Sequence, residues 1–162
     1  MKMKKILYFD DFSVRESVNK DSEEYDDIKW ALIDFMDQGF DLSIKKYDDP
    51  EEIQEMTIAM NTYLPADEDL ITGNNEIKGS VEDGNVSDLK VKTIFNPTEL
   101  IRTASSLKGK DREWVESLES ACLRLIDLEG YEHASFRIDK TKIPSSENVS
   151  VNIHIHLMKN PE

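Results

Sequence analysis

The sequence predicts an α+β or α/β fold in which a small β-α-β-α unit is followed by two helices and a C-terminal β-hairpin. Three patterns carry this expectation. Ile6-Leu7-Tyr8-Phe9 is a short apolar run of the kind that forms a strand buried on both faces. Tyr25, Ile28, Leu32 and Phe35 recur at i, i+3, i+7 and i+10, which is one face of a helix. Val149, Val151, Ile153, Ile155 and Leu157 alternate with polar residues, the period of a strand. The 162 residues fit a single domain, 1–162, and a chain of this size buries roughly two-thirds of its unfolded surface.

The elements follow in order. Asp10-Asp11 closes the first strand. A helix is expected from about Ser22 to Gln38, because Asp21 and Glu24 have capping-box spacing and Gly39 stands where a left-handed cap belongs. Phe40, Leu42 and Ile44 alternate as a second strand. Asp49-Pro50-Glu51-Glu52 has the form of a helix start, with Ile53, Met56, Met60 and Tyr63 continuing that helix. Residues 1–64 are thus the acidic β-α-β-α half. Residues 65–88 are expected to be loop-rich, with Gly73, Asn74-Asn75, Gly79 and Gly84 as turn signals, Leu70-Ile71 as a short strand and the rest as loop or an irregular hairpin. Residues 89–162 read β-α-α-β-β. Leu89 to Phe95 is a strand, Asn96-Pro97 opens a short helix through about Leu107, and Asp111 caps a longer one. That helix carries Trp114, Leu118, Cys122 and Leu125 on one stripe and ends at Gly130. The hairpin sets Ala134, Phe136 and Ile138 in one arm against the Val149–Leu157 row in the other.

Charge is the strongest functional signal. There are 34 acidic and 20 basic side chains, a net of −14. Residues 1–8 hold three lysines and no acid, residues 9–88 hold 23 acids against six bases, and residues 89–162 hold 11 of each. Such asymmetry reads either as a solvated, solubilising surface or as a negative field presented on one side, which would steer and select partners more than add affinity. Direct nucleic-acid binding is disfavoured, because like charges repel. A single cysteine, Cys122, excludes a disulfide scaffold. No apolar run approaches the ~18 residues of a membrane span, and the apolar run after the N-terminal lysines is too short for a signal peptide. A cytoplasmic location is the expectation.

Lys4-Lys5-Ile6-Leu7-Tyr8-Phe9-Asp10-Asp11, with Val14-Arg15-Glu16-Ser17 and Gly39-Phe40-Asp41-Leu42, resembles the opening of a receiver (CheY-like) domain over about the first 74 residues. The resemblance implies a parallel sheet and a magnesium ion at Asp10 and Asp11. It also puts Asn74 where the family has its phosphoacceptor aspartate, and an amide cannot form the acyl phosphate. It therefore implies a degenerate signalling module. In size, acidity and composition the chain is also similar to small acidic early proteins of large lytic phages, which bind and disable host proteins, the Lon protease among them.

Several residues could carry chemistry. Asp10, Asp11 and Asp69 could form a magnesium site, since hard cations take carboxylate oxygens. Strand-end acids in solvent are the plainer reading. Pairing Ile138 with Val149 would bring His133 opposite His154, with His156 one step diagonal, on one polar face. This suggests a transition-metal site and, with it, a metal-dependent hydrolase. An ordinary polar strand face explains the same residues. Cys122 and the Met56/Met60 pair read as core. Phosphate-binding glycine loops, Cys-x-x-Cys pairs and nucleophile elbows do not occur.

The sequence thus favours a non-enzymatic acidic binding protein, without cofactor, that inhibits or modulates a host protein through the latter's basic surface. The residues expected to contact it are Asp21, Glu23, Glu24, Asp26, Asp27 and Asp34, then Asp48, Asp49, Glu51, Glu52 and Glu55. The target would be either a protein whose basic groove takes nucleic acid, occupied by mimicry, or a large machine such as an ATP-dependent protease. The edge of the C-terminal hairpin is expected to offer a route to a homodimer.

Overall fold

The computed structural model describes residues 16–47, 54–67, 74–93 and 96–160. Its frame is one nine-stranded sheet in which every described pairing is antiparallel. The strands are β1 (Glu16–Ser17), β2 (Asp41–Tyr47), β3 (Gln54–Pro65), β4 (Glu76–Glu82), β5 (Asn85–Val86), β6 (Leu89–Thr93), β7 (Asn96–Arg102), β8 (His133–Lys142) and β9 (Asn148–Lys159). Their order is β1-β2-β3-β9-β8-β4-β6-β7, with β5 paired to β4. The helices are α1 (Glu23–Ala31), the single turn α2 (Ile33–Met36) and α3 (Gly109–Glu129).

The parallel β-α-β-α unit, and the receiver-like arrangement it implied, is overturned. Residues expected to form the second helix are instead β3, a 12-residue strand lying between β2 and β9. Met56, Ile58 and Met60 are all buried, so the operative period is two. β3 pairs with β9 along its whole length, from Gln54↔Lys159 to Pro65↔Asn148. With the β2 ladder over Glu55–Asn61 on its other side, it gives most backbone groups of the strand the partners that a helix would have supplied internally. The expected short helix after Asn96 is likewise β7, followed by one 3-10 turn at Ala104–Ser106. Residues 65–88, expected to be loop or an irregular hairpin, contain the antiparallel pair β4 and β5, and the expected strand at Leu70-Ile71 lies outside the described residues.

The sheet is one-sided. Leu42, Ile44, Met56, Ile58, Met60, Val151, Ile153, Ile155, Phe136, Ile138, Ile77 and Val81 are buried on the face that meets the helices. α3 packs across β8 and β4 and against α1. Gly79 faces this core opposite Phe136, where a Cβ would lie 2.5 Å from Phe136 Cζ and 2.8 Å from Leu89 Cδ2. The phenylalanine ring occupies the space a side chain would need.

The single helix expected from Ser22 to Gln38 is broken at Leu32 into α1 and α2, and two of the expected N-caps are displaced, while both C-terminal glycines stand as expected. Gly39 and Gly130 both take left-handed conformations, φ +88° and +75°. The N-cap of α1 is Ser22, whose hydroxyl accepts the Tyr25 N–H at 3.1 Å; the expected Asp21 box does not form. The turn at Gly39 then brings Phe40 edge-on to both Phe35 (5.6 Å) and Trp114 (6.1 Å). Gln38 accepts the Trp114 indole N–H at 3.0 Å, fixing the turn after α2 to α3.

Asp111 is not the cap of α3, which begins at Gly109. Its carboxylate turns inward instead. Oδ1 meets the Lys140 ammonium and Oδ2 accepts the Asn74 backbone N–H at 2.8 Å. The hairpin β8-β9 forms as expected, but in another register: Ile138 pairs with Ile153, and Val149 with Lys142. It lies in the middle of the sheet, flanked by β4 and β3. The free edge on which the homodimer expectation rested is therefore occupied.

Candidate functional site

The sequence-derived acidic residues divide between two surfaces. Asp21, Glu23, Asp26 and Asp27 are exposed at and along α1, and Asp34 is exposed on α2. Glu23 and Asp26 stand in the capped first turn of α1, where carboxylates complement the positive end of the helix. Glu55 stands apart. It is on β3 next to Met56 and so faces the opposite side of the sheet, where its Oε1 lies 2.8 Å from His156 Nε2. Asp48, Asp49, Glu51 and Glu52 lie outside the described residues, as do Asp10, Asp11 and Asp69 of the expected magnesium site.

Glu24 differs from its neighbours on α1. It is half-buried, and its Oε2 accepts the Lys46 ammonium at 2.9 Å. Glu129, the last residue of α3, interacts with it electrostatically. Burial raises its carboxyl, but Lys46 and Glu129 outweigh this and hold it below the ordinary value. Glu129 is pushed up to about 7, by burial first and then by its interaction with Glu24 and the charge of Asp27.

The acidic surface continues onto α3 through a shallow cleft of about 420 Å³ lined by Asp34, Arg112, Glu113, Glu116, Ser117 and Ser120. Arg112 is tied to Glu116 at 3.4 Å and Lys110 to Glu113 at 3.7 Å, both at exposed sites. On the next turn Glu119 is raised above the ordinary carboxylate range, by burial and then by repulsion from Glu116.

Amid these carboxylates stands Trp30, with 68% of its surface exposed. Asp26 and Asp27 precede it by four and three residues, so on the helix surface they are its neighbours. Sequence reasoning passed over Trp30, yet the signal was readable: two positions after Ile28, it falls opposite the buried stripe of Ile28 and Leu32. An indole among carboxylates offers a flat apolar surface, a π face for a cation, and acceptors for charge-assisted hydrogen bonds.

The opposite face of the sheet is polar and internally balanced. Glu76 is the hub, with 15% of its side chain exposed and with Arg137 at 3.0 Å, Lys78 at 3.5 Å and Lys92 at 3.6 Å. Arg137 also holds Asp139 at 2.8 Å, and its guanidinium is raised first by that bond. The three histidines share this face but not the expected pairing. His133 is opposite Met158, His154 opposite Arg137, and His156 opposite Ser135. His133 Nδ1 lies 3.8 Å from Glu82. Among the described residues, no group of three His, Cys, Asp or Glu side chains is placed to hold a metal ion. Cys122 is buried in the stripe of α3, and burial pushes its thiol up to about 12.

Among the described residues, no helix is long and apolar enough to cross a membrane. Comparison with protein-family models, with curated proteins and with solved structures finds no match to this chain.

Proposed function

We propose that this chain is a non-enzymatic binding protein whose helical layer, through Trp30 and the carboxylates around it, engages a basic surface on a partner protein. One observation carries the reading: Trp30 is 68% exposed on a helix whose other exposed side chains include Glu23, Asp26 and Asp27. Exposing a tryptophan to water forgoes about 2–3 kcal/mol of burial. Tryptophan is enriched among residues that dominate interface energetics, where it fills a partner's pocket or stacks on its arginine. The surrounding acids would steer a cationic partner toward it and fix the register of docking.

Affinity capture on the full chain tests this, comparing wild type, W30A and the double variant D26K/D27K at low and high salt. The expected result is a basic partner held by wild type, released by salt, and lost from both variants. Retention of the same proteins by all three would defeat the reading. Duplex DNA added as a competitor separates the two kinds of target: displacement marks a surface that normally takes nucleic acid.

A further inference from the structure

We propose that Lys140 and Asp111 condense, once the chain has folded, into an intramolecular amide that joins β8 to the first turn of α3. Lys140 Nζ lies 2.5 Å from Asp111 Oδ1, and 3% and 5% of the two side chains are exposed. Lys140 stands on β8 two residues after Ile138 and opposite Val151 of β9, both fully buried. Asp111 is on the helix turn that leads to Trp114 and Val115, also fully buried. Water has little access to either group, and each charge is held in surroundings that solvate it poorly.

As an ion pair the contact is incomplete. An ammonium has three protons to donate, and among the described residues Asp111 Oδ1 is the one acceptor of Lys140 Nζ. Asn75 stands just before β4, and its carbonyl accepts the Lys140 backbone N–H at 2.9 Å. The Asn75 Oδ1 is buried and has no donor among the described residues. Orphaned polar groups are rare in native cores and mark places where chemistry or strain resides. An amide here has no charge and a single N–H, so it removes the unpaired protons together with both charges.

The two Asp111 oxygens are set apart by their partners. Oδ2 accepts the Asn74 backbone N–H at 2.8 Å and the Asn74 side-chain amide at 3.2 Å. Oδ1 faces the nucleophile. A proton passes from Nζ to Oδ1, which frees the nitrogen lone pair. Nζ then attacks Cγ, and the negative charge that develops on Oδ2 falls on the two Asn74 donors, as in an oxyanion hole. The Cγ–Oδ1 bond breaks, and Oδ1 leaves as water with a second proton taken from Nζ. The new Nζ–Cγ bond remains as an amide that keeps the third proton. An ammonium and a carboxylate have become one amide and one water, with no oxidant or co-reactant. The fold supplies a held contact in place of a chance encounter. The closed loop between α3 and β8 restricts the unfolded chain and pins the helical layer to the middle of the sheet. None of this depends on the proposed partner.

The test is the intact mass of the denatured full chain, taken after prolonged incubation of the native protein. Wild type should weigh about 18 Da less than its sequence, the mass of one water. K140M and D111A should keep the full masses of theirs. A proteolytic digest of wild type should yield one branched peptide in which fragments of α3 and β8 are joined through Asp111 and Lys140. During cell-free synthesis the loss of water should be about tenfold or more slower in N74A, which lacks the side-chain donor; equal rates would overturn the part given to Asn74. An unchanged wild-type mass would overturn the proposal. So would a loss of ammonia, which joins Lys140 to Asn74 or Asn75 instead, or a loss of water confined to one unbranched peptide. The wild-type measurement decides the matter even if the variants fold poorly.

Discussion

Lys140 Nζ and Asp111 Oδ1 lie 2.5 Å apart, with only 3% and 5% of their side chains exposed. Lys140 continues the inward alternation of Ala134, Phe136 and Ile138 on β8, so its charge points into the layer between sheet and helices. Asp111 meets it from the first turn of α3 and also accepts from the Asn74 backbone and side-chain amides. Removing either partner leaves the other charge buried and uncompensated, at a cost of about 3–5 kcal/mol. D111A is expected to be worse than K140M, because Asp111 keeps its two Asn74 donors while Lys140 would keep none from the pair. The double replacement D111A/K140M should be less destabilised than the sum of the singles. Urea unfolding of all four chains measures this coupling.

Gly79 makes a second stability prediction. A Cβ at this position would lie 2.5 Å from the Phe136 ring, and the ring is held on a strand in the middle of the sheet. G79A should therefore destabilise by about 1–3 kcal/mol through overpacking. F136L should relieve part of that cost in the G79A background while being destabilising alone. Equal midpoints for wild type and G79A would show that the ring moves aside freely.

Cys122 gives a chemical prediction. Its thiol is buried and raised to about 12, by burial first and by the charge of Glu119 second. At pH 8 the thiolate is a minute fraction of the population, so a disulfide reagent should leave the native chain unlabelled. Labelling should appear only with global unfolding, at a rate that follows the urea dependence of that unfolding. Fast labelling in native buffer would mean that the α3 stripe opens locally.

Local patterns were legible where local physics decided the outcome. The stripe of Tyr25, Ile28, Leu32 and Phe35 with glycine after it did produce α1 and α2, and the alternation after Asn148 did produce β9. β3 resembles a helix in sequence because Met56, Met60 and Tyr63 fit a helical spacing and Asp49-Pro50-Glu51-Glu52 imitates a helix start. The same segment carries Met56, Ile58 and Met60 at period two, and a partner 12 residues long, β9, decided between the two. That partner is almost a hundred residues away in sequence, so nothing nearby announces it. The hairpin register failed for a related reason. Lys140-Thr141-Lys142 looks like loop, yet Lys140 is buried and all three pair with β9. The acidic surface was legible as charge but not as shape: Glu24 turned out to be a tie between elements, Glu55 lay on the far face, and Trp30 stood in the centre unremarked.

Trp30 separates binding from folding. Its side chain is 68% exposed, so W30A should change the unfolding free energy by no more than about 0.5 kcal/mol, as for surface substitutions generally. Trp114, by contrast, is fully buried, edge-on to Phe40 and hydrogen-bonded to Gln38. W114A should cost about 3–5 kcal/mol. The two indoles can be told apart in the native chain by acrylamide quenching. One emission component, red-shifted and readily quenched, should vanish in W30A; a blue-shifted, protected component should remain. A basic partner that covers Trp30 should then shift the quenchable component to the blue and shield it, with a midpoint that moves to higher partner concentration as salt is added. Quenching of Trp30 that is unaffected by a partner retained on the wild-type chain would place the contact elsewhere on the molecule. W30A that unfolds as readily as W114A would show that this indole is structural rather than presented.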